Sequence, residues 1–185
     1  MAKGLKPGFV LDEFTLGSRD FVVRTPKKSD AEGCRCHVNR LVKEKAFIIM
    51  QKRVSAGDER KWLAGTIRGN AAGRSVTVVV ETGGEIVGVA AASVGGMKAV
   101  AHVANFGIGM SRHRDIGLGT RLMKLMLRLA RRRLRAKLAR LTVYAANERA
   151  IRCYEKVGFA ECGRVPRAYN HHGRYIDMVI MARRL

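Results

Sequence analysis

The chain has 185 residues, 47% of them hydrophobic, and carries a net charge of +21. That length and apolar content fit one domain with a substantial core, and no apolar run approaches the ~18 residues of a membrane-spanning helix, so no membrane contact is expected. The N-terminus lacks the apolar centre of a signal peptide, and a cytoplasmic protein with reduced cysteines is expected.

Residues 1–19 mix Gly, Pro and charge. They read as an N-terminal arm, partly ordered, ahead of a single domain at 20–185. Residues 20–24 read as a first strand, stopped by Thr25 and Pro26. Ser29 or Asp30 can cap a helix running to about Lys45. Within it Cys34, Cys36 and His37 raise the question of a metal, but no second ligand pair follows at zinc spacing, so no metal site is expected. Residues 46–52 are ambiguous between helix and strand. Asp58 reads as the cap of a helix over 59–68, and 69–73 as a turn. The β-branched run 75–81 is a strand. Gly83 and Gly84 turn it into a second, 85–94, and Gly95 and Gly96 into a third that starts at Ala99. These three form an antiparallel meander.

Next come Arg114, Asp115, Ile116, Gly117, Leu118, Gly119 and Thr120. Leu118, Leu122, Leu125 and Leu129 recur at helical spacing and predict a helix over 118–133. Two glycines therefore open a helix just after a strand, where backbone can approach a ligand with no Cβ in the way. The first N–H groups of a helix and its dipole favour an anion there. Taken alone, such a pair is more often a tight turn than a phosphate cradle. It has neither the third glycine of a dinucleotide fingerprint nor the Gly-Lys-Ser/Thr of a P-loop. Residues 139–144 read as a strand parallel to the one before the helix, because a crossover helix intervenes. Asn147 caps a short helix over 148–156, and Gly158 suits its C′ position. A strand over 159–165, a loop over 166–173 and a last strand over 174–181 complete an α/β (α+β) fold. Its sheet is mixed, mostly antiparallel, with helices on both faces.

Two segments carry a family resemblance. Arg114, Gly117 and Gly119 meet the pattern Arg/Gln-x-x-Gly-x-Gly/Ala. Asn147, Ala150, Tyr154, Gly158 and Phe159 meet Asn-x-x-Ala-x-x-x-Tyr-x-x-x-Gly-Phe. In this order and at this separation they resemble the GNAT superfamily of acetyl-CoA-dependent N-acetyltransferases. The resemblance runs from near Asp20 to the C-terminus. It implies that the parallel fourth and fifth strands splay apart, with pantetheine between them as a pseudo-strand. It implies cofactor contacts from Phe106, Ile108, Gly109 and Met110. Around the pyrophosphate it implies Arg112, Arg114, Asp115, Ile116, Gly117, Leu118, Gly119 and Thr120. Asn147 and Tyr154 complete the set. The link before Arg114 is shorter than is usual in the family, with His113 where an aromatic is common, so the alignment of 106–110 can slip by one position.

Tyr154 resembles the family's general acid; a space-filling tyrosine beside Ile151 and Val157 is its other reading. Asn147 stands as helix cap or as cofactor contact. Where some family members carry a glutamate base, this chain offers only His102 and Asn105, and Asn105 is expected to hold a water that carries the amine proton away. The acceptor pocket is expected between 25–50 and the 166–175 loop, with Tyr169, His172 and Tyr175 as substrate contacts and His171 and Asp177 beside them. A solvated hairpin is the other reading of that loop. The acceptor expected is a small-molecule or peptide amine: an amino acid, a polyamine or a protein amine.

The densest positive charge lies at 128–137. The phosphates of coenzyme A account for part of it. A solvated helix face, or association with nucleic acid or the ribosome through phosphate backbones, accounts for the rest. A non-catalytic basic RNA- or ribosome-binding module on the same fold is the alternative function. Against it, an aromatic content of 6% leaves few stacking platforms for bases. A homodimer stays open.

Overall fold

A computed structural model describes residues 4–185, and its sheet begins earlier than the sequence implied. Val10–Leu16 (β1) pairs antiparallel with Arg19–Arg24 (β2). The expected first strand is thus the second, and residues 10–16 of the arm belong to the sheet. Residues 1–3 of that arm lie outside the described residues. Phe14 and Phe21 stack across this hairpin at 5.6 Å between ring centroids, and Leu11, Phe14 and Leu16 pack against the core.

A 3-10 turn, Lys28–Asp30, leads into Ala31–Lys43 (α1). Asp30 stands at the cap position, yet its carboxylate does not cap the helix. It accepts two bonds from the Arg24 guanidinium at 2.7 and 2.9 Å and one from the Lys27 N–H at 2.7 Å. Arg24 also donates to Glu81 at 2.6 Å. A buried guanidinium left without anionic partners would be strongly destabilising, so this demand outranks the cap. Residues 46–52 are neither helix nor strand. Ala56–Ala71 (α2) starts earlier than expected because Ser55, not Asp58, is the cap: its Oγ accepts the Asp58 N–H at 3.1 Å. Asn70, near the end of α2, bonds both the N–H and the carbonyl of Thr77, each at 2.8 Å, and so fixes α2 against the next strand.

Ser75–Thr82 (β3), Glu85–Val94 (β4) and Val103–Met110 (β5) form the antiparallel meander. Its third strand starts at Val103 rather than Ala99, since Lys98–Val100 is a 3-10 turn. Leu118–Arg133 (α3) matches the predicted helix, with Leu118, Leu122, Met123, Leu125, Met126, Leu127, Leu129 and Ala130 all buried. Each fully buried Leu or Met side chain contributes about 1.5–3 kcal/mol, so this face alone anchors the helix. Leu138–Tyr144 (β6) and Glu148–Glu155 (α4) follow. Ala160–His171 (β7) and Arg174–Arg184 (β8) form the closing hairpin. The expected loop over 166–173 is mostly strand. A register shift between Val165 and Tyr169 takes up Pro166, which has no N–H to give the ladder and is tolerated on an edge strand.

The eight strands lie in the order β1-β2-β3-β4-β5-β6-β8-β7. Cys34 of α1 packs with Val79 and Ile86 on one face; α3 covers the main core on the other. Among the described residues the single parallel pair, β5 with β6, holds at Val103↔Leu138, Ala104↔Ala139 and Asn105↔Arg140 only. Beyond these rungs the two strands run on unpaired with each other, to Met110 and Tyr144. Among the described residues no helix is long and apolar enough to cross a membrane.

Candidate active site

The site begins where β5 and β6 part. The Ser111 N–H bonds the Val87 carbonyl at 2.9 Å. Backbone groups alternate along an antiparallel strand, so those of Gly109 and Gly107 also face β4. Those of Phe106, Ile108 and Met110 face the gap left by β6. The Met110 carbonyl accepts from Arg114 Nε at 2.9 Å; Phe106 and Ile108 keep an open edge. Gly109, expected among the cofactor contacts, is turned the other way. A Cβ there would lie 3.3 Å from Leu41 Cδ1 and 3.6 Å from His37 Nε2.

The gap leads into a loop of alternating backbone hand. His113, Asp115 and Gly117 have φ of 55°, 67° and 85°. Such a run of positive-φ residues at every second position is of the kind that can turn successive N–H groups toward one side. Gly117 is the N-cap of α3 and supplies no side-chain cap; the first intrahelical bond runs from Arg121 to the Gly117 carbonyl. The N–H groups of Leu118, Gly119 and Thr120 are therefore those an anion would meet. Leu118 buries its side chain in the core, whereas Ile116 is exposed.

The charged side chains expected around a diphosphate are engaged with groups outside the loop. Arg114 pairs with Glu44 at the end of α1 at 2.6 Å, Arg112 lies 3.6 Å from Glu85, and Asp115 lies 3.7 Å from Arg149. His113 packs edge-on against Phe21. These contacts fix the loop to α1, β2, β4 and α4. Its attraction for an anion then rests on main-chain N–H groups more than on free guanidinium.

Helix α4 meets this loop from the side. Cys153 Sγ lies 3.6 Å from Thr120 Oγ1, and a Cβ at Gly119 would come within 3.5 Å of that sulfur. Asn147 Oδ1 accepts the Ala150 N–H at 3.3 Å, so its side chain caps α4. The helix ends with Gly158 N–H on the Glu155 carbonyl and Phe159 N–H on the Tyr154 carbonyl. That paired closure requires a left-handed residue, and Gly158 has φ 86°. Tyr154 is thereby held with its ring 6.1 Å from Phe159, which lies 6.1 Å from Phe106, the first residue past the last paired rung. Burial raises the Tyr154 phenol above its ordinary value.

Just past the C-terminal end of β6, against the β7–β8 hairpin, lies a cleft of about 450 Å³, walled by Phe47, Ala145, His171, Arg174, Tyr175 and Asp177. Of the three expected substrate contacts it contains Tyr175. Tyr169 instead stacks on Tyr144 at 4.0 Å and donates to Thr142 Oγ1 at 2.9 Å, stiffening the floor. His172 sits in the hairpin turn, where its N–H bonds Gln51 Oε1 at 3.0 Å. Asn105 is exposed on the last rung and accepts from Arg140 at 2.7 and 3.0 Å. His102 lies at the far end of β5, before its first rung. Phe47, Ala145 and Arg174 were not singled out by sequence reasoning. The apolar run from Ala46 to Met50 in an otherwise basic stretch was the available signal for Phe47.

The three residues of the cysteine-histidine cluster have separate surroundings. Cys34 is buried, its thiol pushed up to about 12 by that burial, and Cys36 is exposed beside Glu32. His37 Nδ1 lies 2.8 Å from Ser111 Oγ, at the root of the anion loop. Burial, reinforced by the Arg40 and Arg114 charges, pushes the His37 imidazole down to about 4. The unfolded chain takes this proton at about pH 6.5 and the folded one only near pH 4, so stability is lost as pH falls through that window. Urea unfolding should show about 2 kcal/mol less stability at pH 5 than at pH 7.5 from this group. In His37→Gln that part of the pH dependence should vanish; an unchanged slope would remove His37 from the account.

A sheet whose one parallel pair opens onto a glycine-led helix N-terminus, with a tyrosine helix alongside, defines an acyl-CoA-type transferase architecture. The chain belongs to the Acetyltransferase (GNAT) family, whose pattern matches residues 44–159. It is similar to the L-amino acid N-acetyltransferase AaaT of Escherichia coli (strain K12), with 35% identity over 101 residues. That match covers 54% of this chain and 62% of the relative, less than two thirds of its length. Among solved structures, an acetyltransferase of the GNAT family from Streptococcus pneumoniae superposes with a TM-score of 0.79 at 23% identity, covering 89% of this chain and 99% of that one. YncA from Salmonella typhimurium, solved with its cofactor acetyl-CoA, gives 0.77 at 20% identity over 89% and 94%. At such identities these two likenesses speak for the fold.

Proposed function

We propose that the chain transfers an acetyl group from acetyl-CoA to the amine of a small acceptor of the amino-acid class. The observation that carries this reading is the three-rung pairing of β5 with β6, beyond which an open strand edge runs into the uncapped start of α3. The residues present suit coenzyme A. Amide groups of the pantetheine arm match the free backbone groups of Phe106 and Ile108, and a diphosphate matches the N–H groups of Leu118, Gly119 and Thr120. When bound, acetyl-CoA supplies an acetyl group activated as a thioester. The acetyl-CoA held by YncA and the amino-acid substrate in the name of AaaT support the cofactor and the acceptor class.

Each residue then has a stated part. The Tyr154 phenol, kept protonated by burial, holds the proton that a departing thiolate requires. An acceptor amine with an ordinary pKa near 10.4 must lose a proton before it attacks. His171 Nε2 lies 3.1 Å from the Lys45 carbonyl, which can only accept, so that nitrogen bears the ring hydrogen. The Nδ1 of His171 is left as the basic nitrogen on the cleft wall. Asn105, its carbonyl oxygen engaged by Arg140, has its amide N–H groups to hold a water on the same path. Arg174 offers a guanidinium to an acceptor carboxylate, and Phe47 and Tyr175 offer apolar surface to its side chain.

Thiol release from acetyl-CoA, measured against a panel of amino acids, polyamines and short peptides, tests the reading. Amino acids are expected to turn over fastest, and acetyl-CoA alone should raise Tm. His171→Gln should lower kcat/KM by about tenfold while leaving Tm unchanged, water in the open cleft replacing the imidazole in part. Absence of both thermal stabilisation and thiol release across the panel would overturn the assignment. The non-catalytic alternative predicts that absence.

A further inference from the structure

Positive charge is dense and acid-free along one helix. From Ile116 through Asn147 the sequence contains no Asp or Glu, and from Ile86 through Arg114 it contains none either. The structure brings these stretches together. Helix α3 runs from the anion loop to the start of β6, so its C-terminal half lies at the end of the sheet away from the proposed site. Every exposed residue of α3 is cationic: Arg121, Lys124, Arg128, Arg131 and Arg132, with Arg135 just beyond. At 100° per residue they fall within one stripe, about 16 Å long from Arg121 to Arg132. Arg121 pairs with Asp12. Lys124, Arg128, Arg131, Arg132 and Arg135 have no anionic partner among the described residues. Elsewhere arginines are widely paired, as Arg35 is with Glu32, Arg152 with Glu148 and Arg164 with Glu161.

A surface charge that served solubility alone would have both signs interspersed, because a single-sign field costs self-repulsion. The chemistry of the stripe narrows its partner. The apolar face of α3 is spent on the core, so the helix cannot sink into a bilayer. No aromatic anchor stands in the stripe, whereas protein interfaces depend on such anchors and single-stranded nucleic acids on stacking platforms. A rigid row of guanidinium groups matches a regular row of phosphates. We propose that this face of α3 binds the phosphate backbone of a nucleic-acid duplex, without sequence choice, while the cleft remains free. The enzyme would then work while held on a polyanion, close to whatever amines are concentrated there.

Fluorescence anisotropy with a labelled duplex of roughly 20 base pairs, as RNA and as DNA, tests the proposal across a salt series. Parallel arms use a single-stranded oligonucleotide, a polyglutamate of equal charge and anionic phospholipid vesicles. Duplex binding should weaken steeply with salt and exceed every other arm at least tenfold near physiological ionic strength; RNA or DNA in the leading place both agree with a backbone contact. Replacing Lys124, Arg128, Arg131 and Arg135 by Gln should flatten the log–log salt slope by about 3–4, at roughly 0.9 per lost contact. The same variant should keep its Tm and its thiol release, since none of these residues belongs to the anion loop or the cleft. Polyglutamate or vesicles binding as tightly as duplex would overturn the proposal, and so would a variant that keeps the wild-type slope. Binding is read without acetyl-CoA, so its failure is distinct from failure of the catalytic reading.

Discussion

Tyr154→Phe is expected to lower kcat by about 10²- to 10⁴-fold, the range set by losing a positioned general acid. The ring packs against Phe159, and phenylalanine keeps that packing, so folding and acetyl-CoA affinity should stay close to wild type. Apolar surroundings disfavour the phenolate and hold the proton on oxygen well into the alkaline range. The wild-type kcat profile should therefore lack an alkaline limb below about pH 10, the ordinary tyrosine value. A step with a poorer leaving group loses more from the missing acid, so the defect should shrink with acyl donors whose thiols are more acidic. Single-turnover thiol release on both proteins checks this. A variant within about threefold of wild type would return Tyr154 to the role of core filler, far below what acid catalysis supplies.

Gly119→Glu should separate cofactor binding from folding. The space beside Gly119 ends at Cys153 Sγ, an ordinary van der Waals contact for a new Cβ, so a side chain can be housed. A carboxylate in the first turn of a helix is favourable by about 0.3–1 kcal/mol. The unliganded protein should be as stable as wild type or more so. Acetyl-CoA affinity should fall by about 10²- to 10⁴-fold, because two charge-assisted bonds worth roughly 1.5–3 kcal/mol each give way to repulsion. Opposite signs in a thermal melt and in a calorimetric titration are the signature. A merely structural glycine would move both downward together. Gly117 does not allow this separation: its φ of 85° strains any L side chain and would confound the two readouts.

Local signals carried far where a few neighbouring residues decide the outcome. The apolar spacing of Leu118, Leu122, Leu125 and Leu129 placed α3, and Asn147 with Gly158 bracketed α4. The misses share a long-range cause. Ser29 or Asp30 was read as a cap, but the Asp30 carboxylate is claimed by Arg24, which also pairs with Glu81, and by the Lys27 N–H. Residues 166–171 were read as loop from Pro166, but β8 offers a ladder and the bulge absorbs the proline. Arg114 was read as a free counter-charge, but Glu44 at the end of α1 reaches it.

The sequence by itself determined the class of fold, the glycine-led start of the α3 helix, and the excess of positive charge. All three follow from composition or from contacts a few residues apart. Only the tertiary structure decided that β5 and β6 part after Asn105 and Arg140, which strand-edge groups are left open, that Phe47 and Arg174 share a cleft, and that the unpaired cations lie away from it. Those outcomes depend on pairing register and on side chains distant in the chain, and a change of one residue in register would turn each strand's opposite face to the gap.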